Sequence, residues 1–459
     1  MKKTVLLVVI AVVVLMLMPI FGNKVVQNEL NKRLGVLKSY GVEISQNSKG
    51  SNYFTSRVHY EFLVKDEKKF MDYIQQFSDQ QLPPYTNAMV EGVLVGADVL
   101  YSNFAFSDKI SIDIYPLSFS KTFMHDLKEE DSSFYEYIKT LLKDRTLLYH
   151  INYNIVSNKF DGYIKNIKEH YTFKNDLQIS TKISGATFSG EGPLIAPSLL
   201  KSDIKHMNFS AITNKEKFGL IVDDFKTTSN FQSHNTYATT MNFKKFKWFI
   251  DGTKRNDVSI EASNIYVNAS SNAQSKKMEF YVKTSFKDMH IKAPLSSFEA
   301  VGYNSVIALS EVNKESFEKL RILLSDSKVK HSKTLQNKIA KESVELLSKG
   351  LKFEVADLSL NNFSIKDKKN IRGFKIKAKM ILKEDRMLKG ADNIPIDKIL
   401  QDIDMDAKFI FSKRLMAVIN TELPFGNMVK NFAKTKGNDI VFDVKFKNSK
   451  LIVNDKHLN

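Results

Sequence analysis

The sequence predicts an α+β protein, dominated by long antiparallel strands with helices packed against them, after one N-terminal transmembrane helix. Three observations predict it. Segments alternating apolar and polar residues recur from Leu147 to Leu309 with turn signals and no helical pattern between them. Helical patterns are confined to zones before and after that stretch, and one early run, Val5 to Asn23, is apolar and free of charge. With 43% hydrophobic and 11% aromatic residues in 459, the chain can bury a large core.

The apolar run from Val5 to Gly22 would span ~27 Å as a helix, close to the ~30 Å of a bilayer's hydrocarbon. Its exit carries the bulky Met18, Ile20 and Phe21 where a signal peptidase needs small residues, so residues 1–23 are expected to stay as an anchor. Orientation is open on the residues alone. Lys24, Lys32, Arg33 and Lys38 after the run outnumber Lys2 and Lys3 before it, whereas a short basic head before an apolar run is the layout of an export signal.

Residues 24–145 read as an N-terminal α/β part. Val26, Leu30, Leu34 and Leu37 suit an amphipathic stalk, and alternation at Val42–Ile44 and Ser56–Phe62 begins the strands. A helix from Lys68 to Phe77 follows, with Asp66 as its cap. Strands at Met89–Phe106 and Lys109–Tyr115 lead to a helical stretch, Phe123–Leu142, whose second half Ser133 is suited to cap. Residues 146–312 form the meander, its pairing antiparallel because no helices intervene. Residues 313–459 hold a helical zone, Lys314–Ser348, ended by Gly350, then strands at Leu351–Leu360, Gly373–Leu382 and Ile403–Phe411. A hairpin, Ile440–Val453, turning at Asn448-Ser449, closes the chain.

Composition removes several chemistries. With no cysteine there is no disulfide, thiol nucleophile or thiolate metal site. The charge of +17 comes mainly from lysine scattered along the whole chain, whereas nucleic-acid readers concentrate arginine on one face, so no nucleic-acid partner is expected. Asp402, Asp404 and Asp406 open a calcium-loop pattern, but Ala407 and Lys413 stand where that loop needs glycine and glutamate; a solvated strand face is expected instead. The histidines (His59, His125, His150, His170, His206, His234, His290, His331 and His457) lie singly, with no i, i+4 pair for zinc. Gly185, Gly190 and Gly192 lack the Lys-Ser/Thr of a phosphate loop and read as a β-turn. Ser118 with Lys121 and Ser325 with Lys328 have the spacing of a serine-lysine dyad, which a chain rich in both residues produces by chance. Asn242 to Ile250 interleaves bases and aromatics, but Phe246, Trp248 and Ile250 fall on one strand face, which a core explains without any ligand.

Three features carry a resemblance. The apolar run is followed at once by Gly41–Val64, a strand, a basic-glycine turn and a returning strand. The late helical zone ends at Gly350 and leads into Leu351–Val355 and Leu358–Asn361, and the closing hairpin carries Asn448-Ser449 and Asn454-Asp455. In these the chain resembles the bacterial YdgA-like family of inner-membrane-anchored envelope proteins, whose molecular function is undefined. The resemblance implies a body in the periplasm and brings no catalytic residues. The expected function is therefore non-enzymatic: envelope maintenance or assembly through binding of an envelope protein or lipid, with no catalytic, cofactor or metal residues. The alternative is a carrier of lipid or another apolar ligand in a β-sheet groove, with a hydrolase using Ser118 or Ser325 as a third class.

Overall fold

A computed structural model describes residues 34–458 apart from 52–54, 76–85, 103–108, 174–175, 195–196, 234, 253–256, 275, 326–331, 366–367, 386–395 and 423–430. The expected α+β fold behind a transmembrane helix is corrected. The described chain is a large antiparallel sheet structure in which strand far outweighs helix, and no described helix is long and apolar enough to cross a membrane. The expected anchor, residues 1–23, lies outside the described residues. So does most of the stalk, although Leu34 to Ser39 is helical and buries Leu34 and Leu37 in a core. Two compact units divide the described residues: one runs to Asn214 and includes Phe225–Thr228, and the other holds Lys215–Asp224 and everything from Ser229.

The first unit contains β1 (Val42–Ser51), β2 (Thr55–Val64), β3 (Leu94–Ser102), β4 (Lys109–Ser118), β5 (Tyr149–Asn154), β6 (Lys159–Ile164), β7 (Ile167–Thr172), β8 (Gln178–Glu191) and β9 (Leu199–Ile212). Each of β1 to β5 pairs antiparallel with the next, and β8 pairs with β6, β7 and β9. Alternation makes the sheet two-faced. Tyr60 and Phe62 of β2, Val95 and Ala97 of β3, Ile110, Ile112 and Ile114 of β4 and Ile151 of β5 are all buried on one face. Helices α1 (Glu67–Gln75), α2 (Thr86–Val90), α3 (Lys121–Glu130) and α4 (Ser132–Lys143) belong to this unit, and α4 packs on β4. Asp66 accepts from the Lys69 amide at 3.0 Å at the start of α1, as expected. For α4 the cap is Asp131 rather than Ser133, accepting from the Ser133 and Phe134 amides at 3.1 Å each. Met89 and Val90, expected to begin a strand, instead end the helix α2.

The second unit contains β10 (Lys217–Ser233) except its Phe225–Thr228, β11 (Thr236–Asp251), β12 (Val258–Gln274), β13 (Lys277–Ala293), β14 (Ser296–Asn313), β15 (Leu351–Ile365), β16 (Lys368–Leu382), β17 (Ile403–Ser412), β18 (Lys434–Lys436), β19 (Asp439–Lys447), β20 (Lys450–Val453) and β21 (Lys456–Leu458). From β11 to β17 each strand pairs antiparallel with the next; β19 then joins β17, β18 and β20, and β20 joins β21. Its helices are α5 (Lys314–Ser325), α6 (Lys333–Ser348), α7 (Ile396–Asp402) and α8 (Lys413–Glu422). Both hairpin turns at the end use left-handed residues, Asn448-Ser449 and Asn454-Asp455.

These long strands share a break in their alternation. Apolar residues in β11 fall at Met241 and Phe243, then at Phe246, Trp248 and Ile250, with two residues between Phe243 and Phe246 where alternation leaves one. The same slip lies between Ala262 and Ile265 in β12, Phe286 and Met289 in β13, Ala300 and Tyr303 in β14, Leu360 and Phe363 in β15, and Ile371 and Phe374 in β16. Pairing puts the slips side by side: Phe246 opposes Ala262, Ala262 opposes Met289, Met289 opposes Ala300, Ala300 opposes Phe363, and Phe363 opposes Ile371. In a regular pleat a one-residue slip would throw all later apolar residues to the other face. Left-handed residues interrupt the pleat in this row, Asn264 at φ 48° in β12 and Gly302 at φ 70° in β14. Asp224 in β10 and Gly185 in β8 have the same conformation, so the four follow one another in sequence at 39, 40 and 38 residues. In the first unit Gly185 likewise lies between Ile183 and Ala186, opposite a slip from Ile204 to Met207.

Gly302 is held there by sterics as well as by φ, because a Cβ would meet Asn361 Nδ2 at 2.1 Å. Gly302→Val forces a β-branched residue into the left-handed region against that contact and is expected to cost about 2 kcal/mol or more. Thermal unfolding of the variant against wild type checks this.

Candidate functional site

The apolar residues on one side of the slip form two transverse rows in the second unit. One is Phe246, Ala262, Met289, Ala300, Phe363 and Ile371; the other is Trp248, Ile260, Ile291, Phe298 and Ile365. Alanines flank Met289 on both sides, and the larger side chains stand around them, with the Phe298 and Phe363 rings 6.3 Å apart. Of the described helices of this unit, α5 packs at β14 and sets Phe317 5.0 Å from the Phe280 ring of β13, and α8 packs on β16, β17 and β19. At that covered end Ile371 is fully buried, whereas Phe246, Trp248, Met289, Ile291 and Phe363 are only half-buried. Among the described residues the stripe is apolar along its length and carries no extensive helical cover of the kind that buries a sheet face in a filled core.

Phe246, Trp248 and Ile250 thus share a strand face, as their spacing indicates, and Phe218 meets the Trp248 ring edge-on at 6.2 Å. The intervening bases spend their charge on a carboxylate: Lys245 and Lys247 reach Glu261 at 2.8 and 3.5 Å. That hydrogen bond from Lys245 holds the Glu261 carboxyl below its ordinary value.

Across the slip a second apolar row runs through Val282, Ile307, Val355, Ala378, Ala407 and Val444. Over its last four strands lies a groove of about 430 Å³, within the range of small-molecule sites. Lys377, Lys379 and Lys445 also line it and form no ion pair among the described residues.

The other residues singled out in the sequence are dispersed. Asp402 ends α7, Asp404 pairs with Lys383 at 2.9 Å, and Asp406 opposes Lys379 and Lys445 on neighbouring strands. Gly185 sits at the break in β8, Gly190 packs under Phe160, and Gly192 turns at φ 98°. The Ser118 hydroxyl donates to the Phe119 carbonyl at 3.0 Å. Lys328, His234 and His331 lie outside the described residues. His125 and His457 are exposed, His206 is half-buried, His170 meets the Ser180 hydroxyl at 2.7 Å, and His290 lies 3.6 Å from Glu299.

His59 and His150 depart from the expectation of isolated histidines. On the face of the first unit opposite its core, pairing aligns His59, Asp98, Asp113, His150 and Tyr163 in one row across β2 to β6. His59 Nδ1 lies 2.7 Å from Asp98 Oδ1 and Nε2 lies 3.3 Å from Glu61. Asp98 Oδ2 accepts from the Tyr115 hydroxyl at 2.9 Å and from Arg145 at 2.7 Å, whose guanidinium stacks 3.8 Å over the Tyr115 ring. Burial, and then the bond to Asp98, raise the Tyr115 hydroxyl well above its ordinary value. Sequence spacing gives no signal of this cluster, since His59 and Arg145 are 39 and 47 residues from Asp98, and strand register and the turn after α4 bring them together. Comparison with protein-family models, curated proteins and solved structures finds no match for the chain.

Proposed function

We propose that this protein carries a lipid or another ligand with an acyl chain along the apolar stripe of its second unit. The observation behind this reading is the run of half-buried apolar side chains from Trp248 to Phe363, with no extensive packing of a helix on β11 or β12 among the described residues. An acyl chain laid on it would remove apolar area from water at about 25 cal/mol per Å², with no polar partner required. The charge-free run from Val5 to Asn23 and the resemblance to YdgA-like proteins support a place in the cell envelope, at the inner membrane with the body in the periplasm. Work there in maintenance or assembly, through ligand or partner binding, is consistent with this reading.

Lipid extraction and mass spectrometry of the purified chain provide the test. Acyl-containing species present at a fixed ratio to protein are expected; their repeated absence after expression in bacterial cells overturns carriage.

A further inference from the structure

The two histidines of the transverse row differ in what their Nε2 atoms face. His59 has a carboxylate at each ring nitrogen, so neither nitrogen is left to take a proton from a substrate. His150 has one carboxylate, Asp113, 2.7 Å from Nδ1, and its Nε2 lies 3.4 Å from the Ser111 hydroxyl. Asp113 thereby holds the tautomer in which Nδ1 carries the proton and Nε2 accepts, as activation of a hydroxyl requires. Tyr163 stacks on the His150 ring with centroids 4.8 Å apart, which fixes the ring plane. Ser111 is half-buried rather than sealed in a core, and the strand opposite places Asn152 directly across from it. The Asn152 amide donates one hydrogen to Asp161 at 3.1 Å and has a second for a substrate oxygen.

We propose that Ser111, His150 and Asp113 form a nucleophilic triad that hydrolyses carboxylic esters, an activity separate from ligand carriage in the other unit. Ser111 Oγ attacks the ester carbonyl as its proton passes to His150 Nε2, and the Asn152 amide stabilises the oxyanion. Collapse breaks the carbon–oxygen bond to the alcohol, which leaves with the proton from His150. Water then attacks the acyl-serine, giving its proton to His150, and the carboxylic acid departs as Ser111 regains its hydrogen. Asp113 is a positioning residue.

The test is labelling of the full chain with a fluorophosphonate, with the adduct located by peptide mass spectrometry and p-nitrophenyl butyrate hydrolysis followed in parallel. A single adduct on Ser111 is expected, absent in Ser111→Ala. His150→Gln and Asp113→Asn should lower both rates at least tenfold, the second with a changed pH profile because the tautomer is no longer held. No adduct, an adduct on another serine, or wild-type rates in His150→Gln overturns the triad. Ser111→Ala removes one oxygen from a half-buried site, so its circular dichroism and unfolding midpoint should match wild type.

Discussion

Asp98→Ala is expected to destabilise the first unit by about 3 kcal/mol, the largest effect of any polar substitution there. Its carboxylate holds three groups at once: His59 at 2.7 Å, the Tyr115 hydroxyl at 2.9 Å and Arg145 at 2.7 Å. Tyr115 is fully buried, so its hydroxyl would lose its acceptor where water has little access. An unsatisfied buried donor costs about 1–3 kcal/mol, and a charged partner costs more. Arg145 would remain over the Tyr115 ring without its counter-charge, and His59 would keep only the longer contact to Glu61. Asp98 is a quarter exposed, which lets water offset part of the loss. Asp98→Asn keeps an acceptor oxygen and should recover part of the stability. Urea unfolding of the three proteins decides the matter: a loss below about 1 kcal/mol for the alanine variant would mean that solvent, not Asp98, satisfies the cluster.

Met289→Asp is expected to remove bound acyl ligand at least a hundredfold while leaving the sheet folded. Met289 stands at the centre of the stripe between Ala262 and Ala300, so no other large side chain can replace it. A carboxylate there would have to be desolvated against an acyl chain, which costs several kcal/mol. Without ligand the side chain is only half-buried, so the free protein pays far less than the complex. Acyl content after purification should fall to background while the unfolding midpoint moves little. Retention of wild-type lipid would place any ligand elsewhere.

How much of this was legible in the residues follows from which interactions are local. The alternation in the meander, the Asp66 cap and the closing hairpin are written within a few residues of one another, and the structure has them. The cap on α4 was displaced by two residues because Asp131 and Ser133 are both competent, and only the bonds made distinguish them. The helix α8 was missed: Lys413 to Glu422 follows a strand without a break, and its start is set by Ser412, which accepts from the Leu415 amide and also donates to the distant Arg372 carbonyl. The one-residue slip is present in the sequence of every strand from β11 to β16. It acquires meaning only when pairing sets Ala262, Met289, Ala300 and Phe363 side by side. For the same reason Ser111, Asp113 and His150 gave no motif, since the first two share one strand and the base arrives from the next, 37 residues after Asp113.

Trp248 is the sole tryptophan of the chain and stands on the stripe, so its emission reports on that surface directly. The most direct test of carriage is titration of the delipidated full chain with a fatty acid bearing a bromine quencher along its chain, followed by tryptophan fluorescence. Saturable quenching with a blue shift, lost in Met289→Asp, is the expected result. Emission unchanged up to the solubility limit of the fatty acid would contradict a ligand on the stripe.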